Sequence, residues 1–202
     1  MKVQPLRDKL REATWNAILE ATENVAAEQG GTNASLQAIA ERAGIAVGTI
    51  YNYFQDKETL FEALFTRRRD ELYASIDEAT KKHARDPFAA QLEGFVAAVF
   101  NHFDARRAFL RLALESETVR PQIVKGKDGG KHPAMRQIQE RAERIVRIGV
   151  KEKRVRDVDP ALLATVLVSI VRGVLVMQAE SDRAFSAQTA TVLALFLEGA
   201  AN

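Results

Sequence analysis

Cysteine is absent from all 202 residues. That excludes disulfides, thiolate metal sites and a catalytic thiol, and it suits a reducing compartment. Histidine is nearly as scarce. His83, His102 and His132 stand far apart, and no HExxH motif, Glu-x-x-His pair or nucleophile elbow surrounds any of them. The expectation is a non-enzyme with no catalytic residue, no metal site and no cofactor. The opening MKVQPLRDKLREA lacks the apolar core of a secretory signal, so a cytoplasmic location is expected. A membrane partner is not expected either. In the strongly apolar segment from Ala161, the uninterrupted run to Val171 stops at Arg172 after eleven residues, where a span needs about 20. Charge of one sign is also lacking: 29 Lys and Arg face 27 Asp and Glu. A net charge of +2 is too small to advertise nucleic-acid binding by itself.

What the chain does have is helical periodicity and 47% hydrophobic residues, enough for one or two buried cores. The fold class expected is all-α. Ser35 to Lys57, SLQAIAERAGIAVGTIYNYFQDK, carries the densest set of signals. Leu36, Ile39 and Ala40 recur at helical spacing behind Ser35, an N-cap residue, and Ala43-Gly44 ends that helix in a sharp turn. A second short helix follows over about 46–53, anchored by Ile50 and Phe54 one turn apart. Two short helices joined by a Gly-containing turn, about 35–54, form the unit that presents its second helix to a DNA major groove. Val47, Gly48, Thr49, Tyr51, Asn52 and Tyr53 are left to point outward. Thr49, Tyr51 and Tyr53 can bond phosphates, Asn52 suits adenine, and Val47 can touch a thymine methyl. Gly48 costs about 1 kcal/mol against alanine inside a helix, which fits close approach of the backbone to another surface. Asp56 caps the next helix and places Lys57 where a phosphate would be held by charge and backbone N–H groups. Ser35, Val47, Gly48, Thr49, Tyr51, Asn52, Tyr53 and Lys57 are therefore the candidate DNA-binding residues. The competing reading is an exposed helix corner whose tyrosines cover a small core. In its favour, residues 1–57 hold six Lys and Arg against seven Asp and Glu, although Lys2, Arg7, Lys9 and Arg11 cluster as a basic arm.

The remaining segments read as further helices. Leu10, Thr14, Ala17, Ile18, Ala21 and Val25 form one stripe over about 9–29, ended by Gly30-Gly31, with Trp15 expected to pack. A long helix over about 57–82 shows Leu60, Leu64, Phe65, Leu72 and Ile76 on one side. Arg67, Arg68 and Arg69 point in three directions from it, the pattern of a solvated face. Pro87 opens a helix carrying Phe88, Leu92, Phe95, Val96, Val99, Phe100 and Phe103, and a shorter one runs from Arg106 to Leu114. Thr118 to Pro133 reads as a connection. Its Gly126-Lys127-Asp128-Gly129-Gly130-Lys131 has the wrong spacing for a phosphate loop, with no preceding strand. Helices over about 134–151, 161–179 and 185–198 follow, the second of them behind Asp159-Pro160. The last two hold more apolar surface than one modest core needs, which predicts self-association through them.

Ile39-Ala40, Ala43-Gly44, Gly48-Thr49-Ile50-Tyr51, Tyr53-Phe54 and Lys57-Glu58 with Leu60 resemble the signature of the tetracycline-repressor (TetR) family. RIGVKEKRVRDVDPALLA resembles the corresponding turn of that family. The chain departs from the pattern at Ala46 and Val47, where Ser and Lys are common, and at Asn52, where His is frequent. This removes a capping hydroxyl and a cation and implies a different base preference. The resemblance implies a helix-turn-helix domain over 1–56 and a ligand-binding and dimerisation domain over 57–202, linked by the helix at 57–82. It further implies a homodimer on double-stranded DNA, reading a pseudo-palindrome and released when an apolar or amphipathic small molecule binds the second domain. Candidate pocket residues are Phe95, His102, Phe103, Phe109, Arg111, Met135, Arg172 and Met177, since such pockets are mostly apolar with a few polar anchors. A DNA-binding activator, and a ligand-binding dimer with weak or lost DNA affinity, remain open alternatives.

Overall fold

The computed structural model describes residues 5–119 and 133–200, and among these every regular element is a helix. In chain order they are α1 (Leu6–Gln29), α2 (Leu36–Ala43), α3 (Val47–Tyr51), α4 (Lys57–Lys82), α5 (Phe88–Asp104), α6 (Arg107–Val119), α7 (Pro133–Lys151), α8 (Pro160–Met177) and α9 (Thr189–Ala200). Short 3₁₀ turns cover Gly31–Asn33 and Phe185–Gln188. The glycine-rich stretch Gly126 to Lys131, and His132, lie outside the described residues. The described residues gather into two compact units, 5–67 with 111–119 and 68–110 with 133–200. α4 and α6 each contribute residues to both.

In the first unit the boundaries follow from local chemistry. α1 ends because Gly30 adopts φ 81°, a left-handed value that glycine reaches without strain. Gly31 is left-handed as well, at φ 62°, a backbone conformation that favours glycine, and its Cβ position would lie 2.5 Å from the Glu115 carboxylate, the movable end of a flexible side chain. Ile18, Leu19, Val25 and Ala26 of α1 are buried with Ile39, Ala40, Ile50, Phe54, Leu60, Phe61 and Leu64. The apolar stripe of α1 does not extend to its start. Leu10 is exposed, and the first buried residue of α1 is Ile18, two turns further on.

The second unit is built on α5, whose Phe88, Leu92, Phe95, Val96, Val99 and Phe100 are buried alongside Ala142, Ile145 and Val146 of α7. Asp159 accepts from the Ala161 N–H at 3.0 Å and Pro160 occupies the first turn, which starts α8. α8 is apolar and long enough to cross a membrane by length and composition. Its Leu163, Ala164, Leu167, Val168, Val171 and Leu175 nevertheless line the core of this unit.

Two side-chain devices pin the helices. Arg141 of α7 donates to both oxygens of Asp77 on α4, at 2.9 and 2.7 Å, and stacks 4.5 Å from the centre of the Tyr73 ring. At the end of α5, Asp104 accepts from the Phe185 and Ser186 N–H groups at 2.7 and 2.9 Å. Arg107 donates to the Ser181 and Arg183 carbonyls and lies over the Phe185 ring. This clamp explains a difference from the sequence expectation. The segment 185–198 is not one helix, because Asp104 takes the N–H groups at Phe185 and Ser186 and fixes a separate 3₁₀ turn before α9. α6 also outruns its expected end at Leu114 and reaches Val119. Arg68 departs from the solvated face: it is 4% exposed and pairs with Glu71 at 3.1 Å, with Arg106 on the same carboxylate oxygen at 3.1 Å.

A Cβ at Gly149 of α7 would come within 2.7 Å of the buried Phe88 ring. Gly149→Ala is expected to lower the thermal midpoint despite the helix-propensity gain. Overpacking costs about 1–3 kcal/mol, against a gain of about 1 kcal/mol. An unchanged or raised midpoint in a calorimetric scan would show that Phe88 moves aside freely.

Candidate functional site

α2 and α3 meet at Gly44, whose φ of 67° lets its N–H reach back to the α2 carbonyls while the Ile45 N–H bonds Ala40 at 3.0 Å. The Ser35 hydroxyl is committed to capping α2, accepting from the Ala38 N–H at 3.1 Å. Gln29 in turn accepts from the Ser35 N–H. α3 has five residues and its N-cap, Ala46, offers no side-chain acceptor. It ends at Tyr51, short of the expected 53, and is held by its own Ile50 and by Phe54 in the turn that follows, which are 1% and 3% exposed. With those two inside, the opposite face carries Gly48, Tyr51 and Asn52 exposed, and Val47, Thr49 and Tyr53 partly exposed. Among the described residues, no atom beyond its chain neighbours and its own helix backbone lies within 4 Å of a Cβ placed at Gly48, so no packing contact there accounts for this glycine.

α4 begins just beyond. Asp56 accepts from the Thr59 N–H and hydroxyl at 2.7 and 2.8 Å, which fixes the first turn and places Lys57 there, its ammonium 6.0 Å from the Phe61 ring. Trp15 packs 6.2 Å from Phe54. Two cations outside the candidate set border this face. Arg11 of α1 lies over the Tyr53 ring at 5.9 Å, and Arg67 of α4 lies over Trp15 at 6.0 Å. Arg11 belongs to the basic arm visible in the sequence. Arg67 carried no signal beyond the arginine run. Asp8, Arg11, Glu12, Trp15 and Tyr53 line an open depression of about 420 Å³ beside the end of α3.

The acidic residues of this unit are largely occupied elsewhere. Glu23 is buried, Glu28 pairs with Arg42 at 2.7 Å, Glu41 bonds Gln37, and Asp56 is a cap. Asp8 and Glu12 remain beside the end of α3, facing Arg11 across the same depression. A short helix with apolar anchors inward and Tyr, Asn, Thr and an open glycine outward has the form that enters a major groove.

The candidate effector residues distribute unevenly. Phe95 and Phe109 are buried, and His102, Phe103 and Met135 are partly buried. Arg172 and Met177 sit on the exposed side of α8, Met177 at 73% exposure, and Arg111 is exposed in the first unit. The structure does bring His102 and Phe103 edge to face at 5.2 Å. It also sets His102 among Arg106, Glu71 and Arg68, whose charges act on it, and the spacing signal pointed to none of these three. Burial, reinforced by Arg106 and Arg68 and opposed by Glu71, pushes the His102 pKa down to about 4. Its Nε2 is sealed from solvent without a hydrogen-bond partner. No group of three or more metal-ligating side chains occurs among the described residues.

Residues 18–64 match the family described as bacterial regulatory proteins, tetR family. The chain is 33% identical over 76 residues to the fatty acid metabolism regulator protein of Bacillus subtilis, covering 38% of this chain and 39% of that protein. It is 27% identical over 179 residues to the A-factor receptor protein of Streptomyces griseus, covering 85% and 57%. The chain thus spans less than two thirds of the length of these relatives. In fold it is similar to the fatty acid degradation regulator FadR of Bacillus halodurans, with a TM-score of 0.80 at 20% identity over 98% of each chain. It is also similar to FadR of Bacillus subtilis in complex with stearoyl-CoA, with a TM-score of 0.75 at 21% identity over 92% of this chain and 98% of that one.

The neutral state of His102 has a measurable consequence. The unfolded chain takes up a proton as pH falls through about 6.5, while the folded chain resists until about 4. Stability is fully present above the unfolded value and is lost across this window as pH falls. His102→Phe is expected to remove that loss, so the difference in thermal midpoint between variant and wild type should widen from pH 7.5 to pH 4.5. A pH-independent difference would show that His102 is not held neutral.

Proposed function

We propose, from the premise that residues 18–64 make this chain a member of the tetR family of bacterial regulatory proteins, that it is a cytoplasmic transcriptional repressor released from DNA by a small molecule. The observation that carries the reading is the seating of α3: Ile50 and Phe54 are buried and Gly48, Tyr51 and Asn52 face solvent. In this reading residues 1–56 are the DNA reader and 57–202 form the effector and dimerisation part. Asn52 and Val47 contact bases, while Thr49, Tyr51, Tyr53 and Lys57 hold phosphates and Ser35 fixes the start of α2 beside them. Arg11 joins the phosphate contacts from α1.

Self-association follows from apolar residues left outside the core. Leu162, Val166, Val176 and Met177 of α8 are 58%, 43%, 49% and 73% exposed, and Leu195 of α9 is 59% exposed. Those on α8 recur at helical spacing with the small residues Ser169 and Gly173 between them, which permit close approach of a second copy. A two-fold dimer through α8 and α9 presents two α3 helices to major-groove segments about 34–36 Å apart. Release requires an effector that prefers the DNA-incompatible state, since equal affinity for both shifts nothing. α4 has residues in both units and is the element through which the preference reaches the reader. The stearoyl-CoA held by the Bacillus subtilis FadR structure supports an effector with a long acyl chain, and Phe95, Phe103, Phe109 and Met135 are suited to contact it.

Selection from a random duplex pool at roughly physiological salt should enrich an inverted repeat with half-sites about one helical turn apart. Tyr51→Ala and Lys57→Ala should weaken binding to all sequences alike. Enrichment of a single unpaired half-site would refute the dimeric reader, and no enrichment by the folded dimer would favour a ligand-binding module without DNA affinity. Gly48→Ala should separate stability from function. It meets no atom within 4 Å, so the thermal midpoint should rise by the helix-propensity gain of about 1 kcal/mol while duplex affinity falls. Unchanged affinity in a fluorescence titration would remove Gly48 from the interface.

A further inference from the structure

We infer that the surface of the second unit where α4 and α7 finish is a contact for the phosphate backbone of a second DNA duplex, additional to the one read by α3. The inference rests on the reading of the first unit as a DNA reader. Two basic segments meet at this surface. The Phe88 N–H donates to Glu152 at 3.3 Å, and a Cβ on Gly149 would come within 2.7 Å of the Phe88 ring, so the end of α7 is seated on the start of α5. Lys81, Lys82 and Arg85 precede that junction in the chain, and Lys151, Lys153 and Arg154 surround its other side. All six are exposed.

Their charge is not cancelled locally. Residues 81–86 and 151–154 hold six Lys and Arg against Asp86 and Glu152, a net of +4 in a chain whose whole net is +2. Both carboxylates have structural tasks: Asp86 lies 2.7 Å from His83 Nδ1, and Glu152 receives the Phe88 N–H. Asp159, further along the same turn, is committed to the cap of α8. Among the described residues, none of the six cations forms an ion pair. Three of them have an ordinary explanation, since Lys81, Lys82 and Lys151 stand in the last turns of their helices and offset the helix dipoles. Lys153 does not share it. α7 closes with the Arg154 N–H on the Gly149 carbonyl at 2.8 Å and the Lys153 N–H on the Val150 carbonyl at 3.0 Å, and this closure holds Lys153 at φ 55°. Among the described residues it is the one non-glycine residue with a left-handed φ. Glycine would take the position without strain. A lysine there strains the backbone and sets a cation in water, and a partner for that cation accounts for the choice.

The side chains favour a duplex backbone as the partner. Phe88 is buried, so residues 81–88 and 149–158 expose no Phe, Tyr or Trp on which an unpaired base could stack. Four of the six cations are lysines, which hold phosphates as point charges without reading bases. A protein already seated on DNA meets further phosphates at high local concentration.

The test uses the full chain and two duplexes, the inverted repeat from the pool selection and a labelled duplex of unrelated sequence. Protein held on the immobilised repeat should capture the labelled duplex and release it steeply as salt rises. The combined variant Lys151→Gln, Lys153→Gly, Arg154→Gln should hold the repeat as before while capture falls about tenfold or more and the salt slope drops by about three, roughly one per cation. Lys153→Gly alone should raise the thermal midpoint and still weaken capture. Capture undiminished in the combined variant, no capture by the wild type, or poly-L-glutamate bound more tightly than the duplex at equal salt would each overturn the contact, the last in favour of an acidic protein segment. In solution, Tyr51→Ala with Lys57→Ala should retain the unrelated duplex and lose it when the combined substitution is added. Unrelated-duplex binding that depends on the three cations, with no inverted repeat enriched, would sink the repressor reading and keep the contact. An intact hold on the repeat with capture unaffected by the substitutions would do the reverse.

Discussion

A helix of five residues cannot hold itself together in water, because its nucleation cost exceeds what one turn of hydrogen bonds returns. α3 therefore exists only through Ile50 and Phe54, which are inserted among Ile18, Leu19, Ile39, Leu60 and the other buried residues of the first unit. Those two side chains set the rotation of α3 about its own axis, and the rotation decides which residues look outward. The left-handed Gly44 and the caps at Ser35 and Asp56 then fix the directions in which the chain enters and leaves. The proposed reading face is a by-product of burying its opposite side.

The second unit relies more on polar fasteners. Asp104 shows how they outweigh desolvation: burial raises its pKa, but the N–H groups of Ser186 and Phe185 with Arg107 nearby bring it below the usual carboxylate range. The Asp77–Arg141 fork ties α4 to α7 on a partly exposed edge, where bidentate geometry makes it worth more than a single surface pair. Around His102 the polar groups are not fully matched. Among the described residues, His102 Nε2 on α5, Ser116 Oγ on α6 and Gln178 Oε1 at the end of α8 are enclosed without a hydrogen-bond partner, so the imbalance is spread over three helices.

Legibility in the sequence followed the range of the interaction that fixes each feature. Ser35, Gly44, Asp56 and Asp159-Pro160 act on residues within four positions, so spacing alone located their helix boundaries. Arg68 could not be placed that way. Its burial depends on Glu71 and on Arg106 arriving from beyond α5, and the run Arg67-Arg68-Arg69 looks alike at all three positions. The break before α9 was hidden for the same reason, since the acceptor that causes it, Asp104, lies about eighty residues upstream. Periodicity identified apolar faces but not what covers them. Met177 and Leu10 obey the helical pattern and are nonetheless exposed.

The stripe of Leu162, Val166, Val176 and Met177 has a consequence in genetics. A homodimer built on α8 and α9 keeps its pairing surface far in sequence from α3. In the proposed dimer a subunit whose reader is damaged would still pair, and each such pairing would withdraw an intact partner from its DNA site. Lesions in α3 would then act dominantly in a cell carrying both alleles, whereas lesions that abolish the α8 stripe would be recessive, because a subunit unable to pair cannot poison its neighbours.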